Sequence, residues 1–404
     1  MRRAILGLVI QGLAAALAFA TPSLAAEVRF PPGVPALLLS EAGPNGVQDM
    51  VVPAVGLVTG PREQFELKRL TIQLCLDGRV VASEVVSADR LVADTRMLGS
   101  APVPGFQIGQ LLAPDGVSGF ARRPVALAGS ASMQPNQLLV LARRYFAVSQ
   151  PVNAMRVIFE GRDGSRPVKA VGLIAVLPYR SPISYSAPLD GLWLMQAGPV
   201  LQSHHRFNPP TEFAIDFFRI DDQGRLSPSG ATSADAAYGW GAPVLAAADG
   251  VVVTVLDGAV QDRSNYARRP DETAQQAGAR IEAFNLQRMQ SDFARATAGN
   301  LVVLRHERAG VVEYTSYGHL RSGIPVRVGD RVVQGQPIGF VGDTGDSAAV
   351  HLHFQANAGR DPFASQSLPV KLVDLRNVAG NADLGRLVAL GAQQPPPAGT
   401  ARAQ

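Results

Sequence analysis

The chain has 404 residues, a length that predicts two or three domains. Its 40 glycines and 30 prolines, with only 17% charged residues, exclude a long helical bundle or coiled coil and favour many short strands joined by turns. A single cysteine excludes an intramolecular disulfide framework and a cysteine-rich metal site, so a bound metal would need histidine and carboxylate ligands. The six histidines therefore become the residues of most interest.

Residues 1–26 have the pattern of a secretory signal peptide. Two arginines precede the apolar stretch 4–20, and a proline and small residues follow it before Glu27. An uncleaved anchor helix is the alternative, although that stretch contains Gln11 and is short for a membrane span. Loss of the two arginines would lower the formal net charge from +4 to +2, too little to indicate a nucleic-acid partner. We predict an exported bacterial protein, periplasmic or secreted, with no stable membrane span after signal cleavage.

Residues 27–180 alternate between apolar and polar positions, with turn residues between the runs. This pattern predicts a β-rich, sandwich-like accessory domain. The runs 65–76 and 79–86 flank an Asp-Gly pair that is typical of a type I′ hairpin, and a second hairpin is predicted around the Asp-Gly pair at 163–164. Residues 136–148 are apolar and fit either a strand or a helix. This part of the chain contains no histidine.

Residues 185–376 contain short, glycine-bounded apolar runs that predict a second β domain. A polar, alanine- and glutamine-rich stretch at about 258–299 interrupts them and predicts a helical insertion. Met289 and Phe293 are spaced to share one helix face there, and Gly299 is a natural C-terminal stop. The tail 391–404 combines three consecutive prolines with small polar residues and is expected to be disordered.

The histidines at 351 and 353 would point to the same face of a strand. One imidazole could then bind a metal ion while the other contacts a water on that ion. The pair alone is weak, since two packed or solvent-facing histidines fit it equally well. His319 on another strand and the His205/Asp216 pair strengthen the metal interpretation.

Histidines and a carboxylate that could hold a zinc ion are suited to amide hydrolysis. A zinc ion held by two histidines and one carboxylate lowers the pKa of a bound water towards about 7 and polarises a carbonyl. His351 would take the proton from water and pass it to the leaving amine, and His319 would hydrogen-bond the oxyanion.

Three motifs occur in a fixed order in this half of the chain: Tyr317-Gly318-His319-Leu320, the stretch 326–339 with the pattern Val-x-x-Gly-Asp-x-Val-x-x-Gly-Gln-x-Ile-Gly, and His351-Leu352-His353-Phe354. Over about 188–355 the chain resembles the M23 family of zinc metallopeptidases, the LytM/lysostaphin type that cleaves peptides of peptidoglycan. The resemblance implies an M23-type antiparallel β-sheet peptidase domain. It also implies three zinc ligands and two catalytic histidines: His205, Asp216 and His353 for the metal, His319 and His351 for catalysis.

The first ligand departs from the family pattern. It usually lies four residues before the aspartate, whereas His205 lies 11 residues before Asp216, so it would reach the metal from a longer loop. We prefer His205 to His204 as the ligand, by alignment to longer-spaced members, and assign His204 to the surroundings of the metal or to substrate. The remaining histidine, His306, is expected to be a surface or packed residue.

The sequence thus predicts an exported zinc metalloendopeptidase that hydrolyses peptide bonds of peptidoglycan stems or cross-links with activated water and a histidine base. Its partners would be peptidoglycan peptides and other cell-wall enzymes. The alternative is a catalytically silent LytM-like adaptor that binds and activates a cell-wall amidase or a division protein. Missing ligands are typical of such adaptors, and here all five positions can be filled, which favours the enzyme.

Overall fold

Short apolar runs separated by glycine-rich turns form strands throughout the computed structural model, so the predicted mainly β class is confirmed. The structure describes residues 26–31, 33–40, 46–100, 125–198, 203–231, 233–260, 263–266, 268–374, 376–377 and 386–390. The predicted signal peptide, except for its last residue, and the predicted tail lie outside these residues. Two units are distinguished: an N-terminal unit of Met1–Arg180, His205–Glu212 and Ala364–Pro369, and a C-terminal unit of Ser181–His204, Phe213–Phe363 and Val370–Gln404.

The N-terminal unit is built from two sheets and one helix among its described residues. Its elements are β1 (Glu27–Arg29), β2 (Ala36–Leu39), β3 (Gln48–Val58), β4 (Phe65–Leu76), β5 (Arg79–Ser87), α1 (Ala88–Ser100), β6 (Ala126–Leu127), β7 (Ser132–Met133), β8 (Gln137–Val148), β9 (Ala154–Asp163) and β10 (Arg166–Pro178). One sheet has the order β1-β3-β8-β6, and the other has the order β2-β10-β9-β4-β5 with β7 beside β4. The β2–β10 and β6–β8 pairs are parallel and the others antiparallel.

Both predicted hairpins are confirmed. Strands β4 and β5 are joined by Asp77 and Gly78, whose φ angles of 49° and 81° are the left-handed values that a type I′ turn needs. Strands β9 and β10 pair in register on either side of a turn that contains Gly164, at φ 59°. Side chains from both sheets meet in one hydrophobic core. The sandwich-like assignment for 27–180 stays a prediction.

The ambiguous apolar run at 136–148 is a strand, β8, and the structure shows why it lacks alternation. Leu139 and Leu141 face the core shared with the other sheet, whereas Leu138 and Val140 face a second apolar cluster that includes Leu98 of α1. Residues 138–142 are therefore buried on both sides, and this half of the strand has no polar face, whereas Arg143 and Tyr145 beyond it are exposed. Helix α1 itself was not predicted, because the sequence around it has the alternating pattern of strands.

The described residues of the C-terminal unit form one large antiparallel sheet and one small one. Its elements are β11 (Gly191–Ala197), β12 (Ile215–Phe218), β13 (Pro243–Leu245), β14 (Gly250–Leu256), α2 (Ala274–Ser291), α3 (Phe293–Ala298), β15 (Asn300–Arg308), β16 (Val311–Leu320), β17 (Arg331–Val332), β18 (Pro337–Phe340), β19 (Leu352–Asn357), β20 (Arg376–Asn377) and β21 (Arg386–Leu390). The large sheet has the order β17-β14-β15-β16-β19-β12-β11-β21-β20, and β13 pairs with β18. Large aromatic residues, Trp193, Phe217, Tyr317 and Phe354, are fully buried in its core.

Two helices lie within the predicted helical insertion. Thr273 begins α2 with a capping box, in which its side chain accepts the N–H of Gln276. The prediction that Met289 and Phe293 share one helix face is wrong, because Asp292 ends α2 and starts a new helix at Phe293. Gly299 ends α3 with a φ of 64°, as predicted. None of the helices in the described ranges is long and apolar enough to cross a membrane.

The close approach of β9 to β4 gives a stability prediction. A methyl group on Gly161 would occupy the space of the Glu66 carbonyl and of the buried Phe65 ring. Gly161→Ala is expected to lower the free energy of unfolding by about 1–3 kcal/mol, the usual cost of overpacking. Denaturant unfolding of the full chain measures this. Gly129→Ala is the matched control, since no atom lies within 4 Å of its added methyl. Equal stability of both variants would contradict the prediction.

Candidate metal centre

The centre of the large sheet brings most of the predicted site residues together. Strand β19 lies between β16 and β12, so His353 faces Asp216 on one side and Gly318 on the other. His319 follows Gly318 at the end of β16, and His351 immediately precedes β19 in a bridge to Gly342. Residues far apart in sequence therefore meet because three neighbouring strands carry them.

The carboxylate of Asp216 is the common partner of three histidines. Its Oδ1 lies 2.9 Å from His353 Nδ1 and 3.8 Å from His351 Nε2. Its Oδ2 lies 3.6 Å from His204 Nε2. Since both members of the His-x-His motif reach the same carboxylate oxygen, their side chains lie on one face, as the strand periodicity predicts.

A group of possible metal ligands is formed around this carboxylate. The ligand atoms of His204, His205 and Asp216 all lie within 4.8 Å of one another. Imidazole nitrogens and carboxylate oxygens are the donors that zinc takes when cysteine is absent. Asp216 and His205 are buried, whereas 64% of the His204 side chain is exposed. The choice of His205 over His204 stays a prediction.

The His353 ring is oriented so that its Nδ1 faces the Asp216 carboxylate, where a positive charge would be stabilised. Its Nε2 lies 2.7 Å from Gln355 Oε1, and the Gln355 amide nitrogen donates to the Pro362 carbonyl, which fixes the orientation of that amide. Nε2 must therefore donate to the amide oxygen, and the other nitrogen, Nδ1, faces the carboxylate at 2.9 Å. Either a proton or a metal ion satisfies that contact, so these residues fit a cation here.

The pKa of His353 agrees with this geometry. Burial by itself would lower the pKa of the ring, but the hydrogen bond and the negative charge of Asp216 outweigh burial and raise it above the ordinary value. The raised pKa reflects how strongly the carboxylate attracts positive charge at Nδ1.

The other two histidines of the core site are held in one tautomer. His319 Nδ1 lies 2.7 Å from the Thr344 carbonyl oxygen, and His351 Nδ1 lies 2.8 Å from the Ala349 carbonyl oxygen. A carbonyl can only accept, so both Nδ1 atoms carry hydrogen and both neutral rings keep a lone pair on Nε2. Their ring centroids are 4.6 Å apart.

Both rings are neutral near pH 7. Burial, reinforced by the neighbouring imidazoles, holds the pKa of His319 well below its ordinary value. Burial also lowers the pKa of His351, although Asp216 opposes it. Each Nε2 can thus accept a proton. His319 can donate to an oxyanion from Nε2 only after it has taken up a proton, a condition that sequence reasoning did not foresee.

The backbone at His319 is itself unusual. Its φ of 60° is in the left-handed region, which is costly for a non-glycine residue and is kept only where the surroundings impose it. Thr344 supplies that constraint: its carbonyl accepts from His319, and its hydroxyl donates to the Leu320 carbonyl at 2.7 Å. The Asn300 N–H donates to the same hydroxyl at 2.8 Å. The ring of His319 is therefore preorganised.

Three residues around the site were missed in the sequence. Phe218 stacks on the His351 ring with 4.7 Å between centroids and 6° between planes, Thr344 orients His319, and Gln355 orients His353. Only Gln355 has a sequence indication, because it lies two residues after His353 on the same strand face.

His306 is buried, with Nδ1 2.7 Å from the Asp249 carbonyl, so of the two expectations for it the packed one is confirmed.

The model of Peptidase family M23 matches residues 272–365, which confirms the resemblance seen in the sequence. His319, His351 and His353 lie inside the matched segment, and His205 and Asp216 lie before it. The part of the sheet that carries the His-x-His motif is thus M23-like.

Solved structures of peptidases are also similar to this chain. The catalytic domain of the antimicrobial peptidase lysostaphin from Staphylococcus simulans is 23% identical, with 47% of this chain and 88% of that domain covered and a TM-score of 0.22. A zinc containing peptidase from Vibrio cholerae is 16% identical, with 77% and 78% covered and a TM-score of 0.23. The chain covers 52% of the longer lysostaphin structure, at 23% identity and a TM-score of 0.25.

The Thr344 hydroxyl gives a testable prediction. Thr344→Val would leave the buried Asn300 N–H and Leu320 carbonyl without this partner, so we expect a loss of about 1–3 kcal/mol in the free energy of unfolding. Thr344→Ser keeps the hydroxyl and should retain most of the stability. Denaturant unfolding of both variants measures the difference. If the serine variant were no more stable than the valine variant, the hydroxyl would not hold this loop.

The lowered pKa of His319 predicts a pH dependence. Below about pH 6.5 the unfolded chain protonates this histidine while the native ring stays neutral, so the unfolded state binds more protons and stability falls as pH falls. In the presence of a chelator, the wild type should lose more stability between pH 7 and pH 5 than His319→Gln does. Urea unfolding at each pH measures both profiles. Parallel profiles would contradict the assigned pKa direction.

Proposed function

We propose that this protein is an exported zinc metalloendopeptidase that hydrolyses peptide bonds in peptidoglycan. The observation that carries the proposal is the buried Asp216 carboxylate with histidines around it, beside two neutral histidines whose Nε2 atoms can accept protons. The M23 match over 272–365 supports the reaction class.

We assign the metal to His205, Asp216 and His353. Two imidazoles and one carboxylate are a donor set that would hold a zinc ion. A bound zinc would lower the pKa of a water and polarise the peptide carbonyl. Gln355 would keep the His353 ring in the orientation that presents Nδ1, because its amide oxygen holds the other ring nitrogen.

We assign proton transfer to His351 and His319. His351 Nε2 accepts the proton of the attacking water and later delivers it to the leaving amine, while Phe218 and the Ala349 carbonyl fix its ring. His319 would stabilise the negative oxygen of the tetrahedral intermediate through Nε2–H only after its neutral ring has taken up a proton from solvent. Its Nδ1–H remains on the Thr344 carbonyl in both protonation states.

Export is proposed from the sequence of residues 1–26, and the substrate class from the family. A stem or cross-link peptide offers the amide carbonyl and the leaving amine that this site can handle. An adaptor without hydrolytic activity would need neither a bound metal nor two histidines held in a proton-accepting tautomer.

Metal analysis tests the proposed ligands. Purified wild type should carry about one zinc per chain, and His205→Ala and His353→Ala should lose it. His204→Ala is the matched control, because it removes the neighbouring imidazole, and it should keep zinc. A native protein that binds no zinc would contradict the enzyme and favour the adaptor.

Digestion of isolated peptidoglycan tests the activity in the same preparations. Mass spectrometry should find peptide fragments released by the wild type and identify the bond that is cut. His351→Ala should keep zinc but release fragments about 10²–10⁴-fold more slowly, the usual contribution of a general base. Unchanged release by His351→Ala would remove this histidine from the mechanism.

A further inference from the structure

Arg206, the residue after His205, has a fully buried side chain. Its guanidinium forms ion pairs with the carboxylates of Asp49 on β3 and Glu212. A buried charge needs such partners, because removing it from water is costly. Two carboxylates around one planar guanidinium also set its direction, which a single ion pair at the surface would not do.

The whole segment 205–212 is folded into the N-terminal unit. Besides the Arg206 contacts, the Pro209 carbonyl accepts the Ser367 N–H at 2.8 Å, and Asn208 donates to Thr211 at 2.9 Å. Within the segment, the Asn208 N–H donates to the His205 carbonyl at 3.0 Å, and the Arg206–Asp49 ion pair joins the residue next to His205 to strand β3.

Glu212 shows how enclosed this contact is. Burial raises the pKa of its carboxyl above the ordinary value, although the charge and hydrogen bond of Arg206 act in the opposite direction. The carboxyl groups and the guanidinium thus depend on one another, and changing the shape of the guanidinium disturbs the contacts to both.

Because His205 and Asp216 are far apart in sequence, the Arg206 ion pairs bear on metal binding by His205. Without an anchor, the ten residues between His205 and Asp216 would sample many positions, and ordering them would oppose metal binding. We propose that Arg206 is a positioning residue for metal binding: by bridging Asp49 and Glu212, it fixes the backbone beside His205 and presents that imidazole as a ligand. The proposal rests on the proposed function, because only a bound metal gives the fixed imidazole this role.

The zinc affinity of the full-length protein tests the proposal. Arg206→Lys keeps the positive charge but cannot reach two carboxylates with one rigid fork. We expect zinc binding, measured by competition with a chromophoric chelator, to weaken about 10- to 100-fold, as for other residues that orient metal ligands. The visible spectrum of the Co²⁺-substituted protein should change as well, since it reports ligand geometry rather than overall stability.

Two further variants make the result decisive. Arg69→Lys is the matched control, because it alters an exposed arginine paired with Glu160 in the same unit, and it should leave affinity and spectrum unchanged. Asp49→Asn removes one charge of the contact without changing its shape, and it decides the question if Arg206→Lys does not fold. A folded Arg206→Lys or Asp49→Asn variant with wild-type zinc affinity and Co²⁺ spectrum would overturn the positioning role. Wild type that binds no zinc would instead overturn the proposed function, and this role with it.

Discussion

The contact between Asp216 and His353 is the interaction on which the candidate site depends. Two antiparallel strands place the pair directly opposite each other, and burial makes the carboxylate strongly attractive to a positive charge. The same carboxylate faces His351 and His204, so three imidazoles lie around one buried anion. Because an uncompensated buried carboxylate is costly, the fold itself creates a demand for a cation at this position.

The two neutral histidines, His319 and His351, are oriented by groups to which we assign no chemical step. Backbone carbonyls of Thr344 and Ala349 fix the hydrogen on Nδ1, and burial keeps the rings neutral. The left-handed backbone of His319 is the clearest sign of this preparation, because the loop around Thr344 must hold it there. The segment that begins at His205 is held differently, through the buried charge of Arg206 and its ion pairs.

Much of the fold could be read from local patterns. The Asp77-Gly78 turn and the helix stop at Gly299 follow from backbone conformations that few residues adopt, so the sequence predicted them well. Helix α1 and the break at Asp292 were missed. The strand at 137–148 could not be told from a helix, because residues buried on both faces lose the alternation that identifies a strand.

The candidate site, like the fold, could be predicted only in part from the sequence. The sequence by itself determined which residue types could act, since the absence of cysteine ligands and the His-x-His motif leave histidine and carboxylate chemistry, and the motif order indicates the family. Only the tertiary structure decided which atoms face one another: that His353 lies opposite Asp216, that Nδ1 of His319 donates to Thr344, and that Arg206 is buried between two carboxylates. These facts depend on strand register and burial, which arise from contacts between residues far apart in the chain, and a local pattern does not contain them.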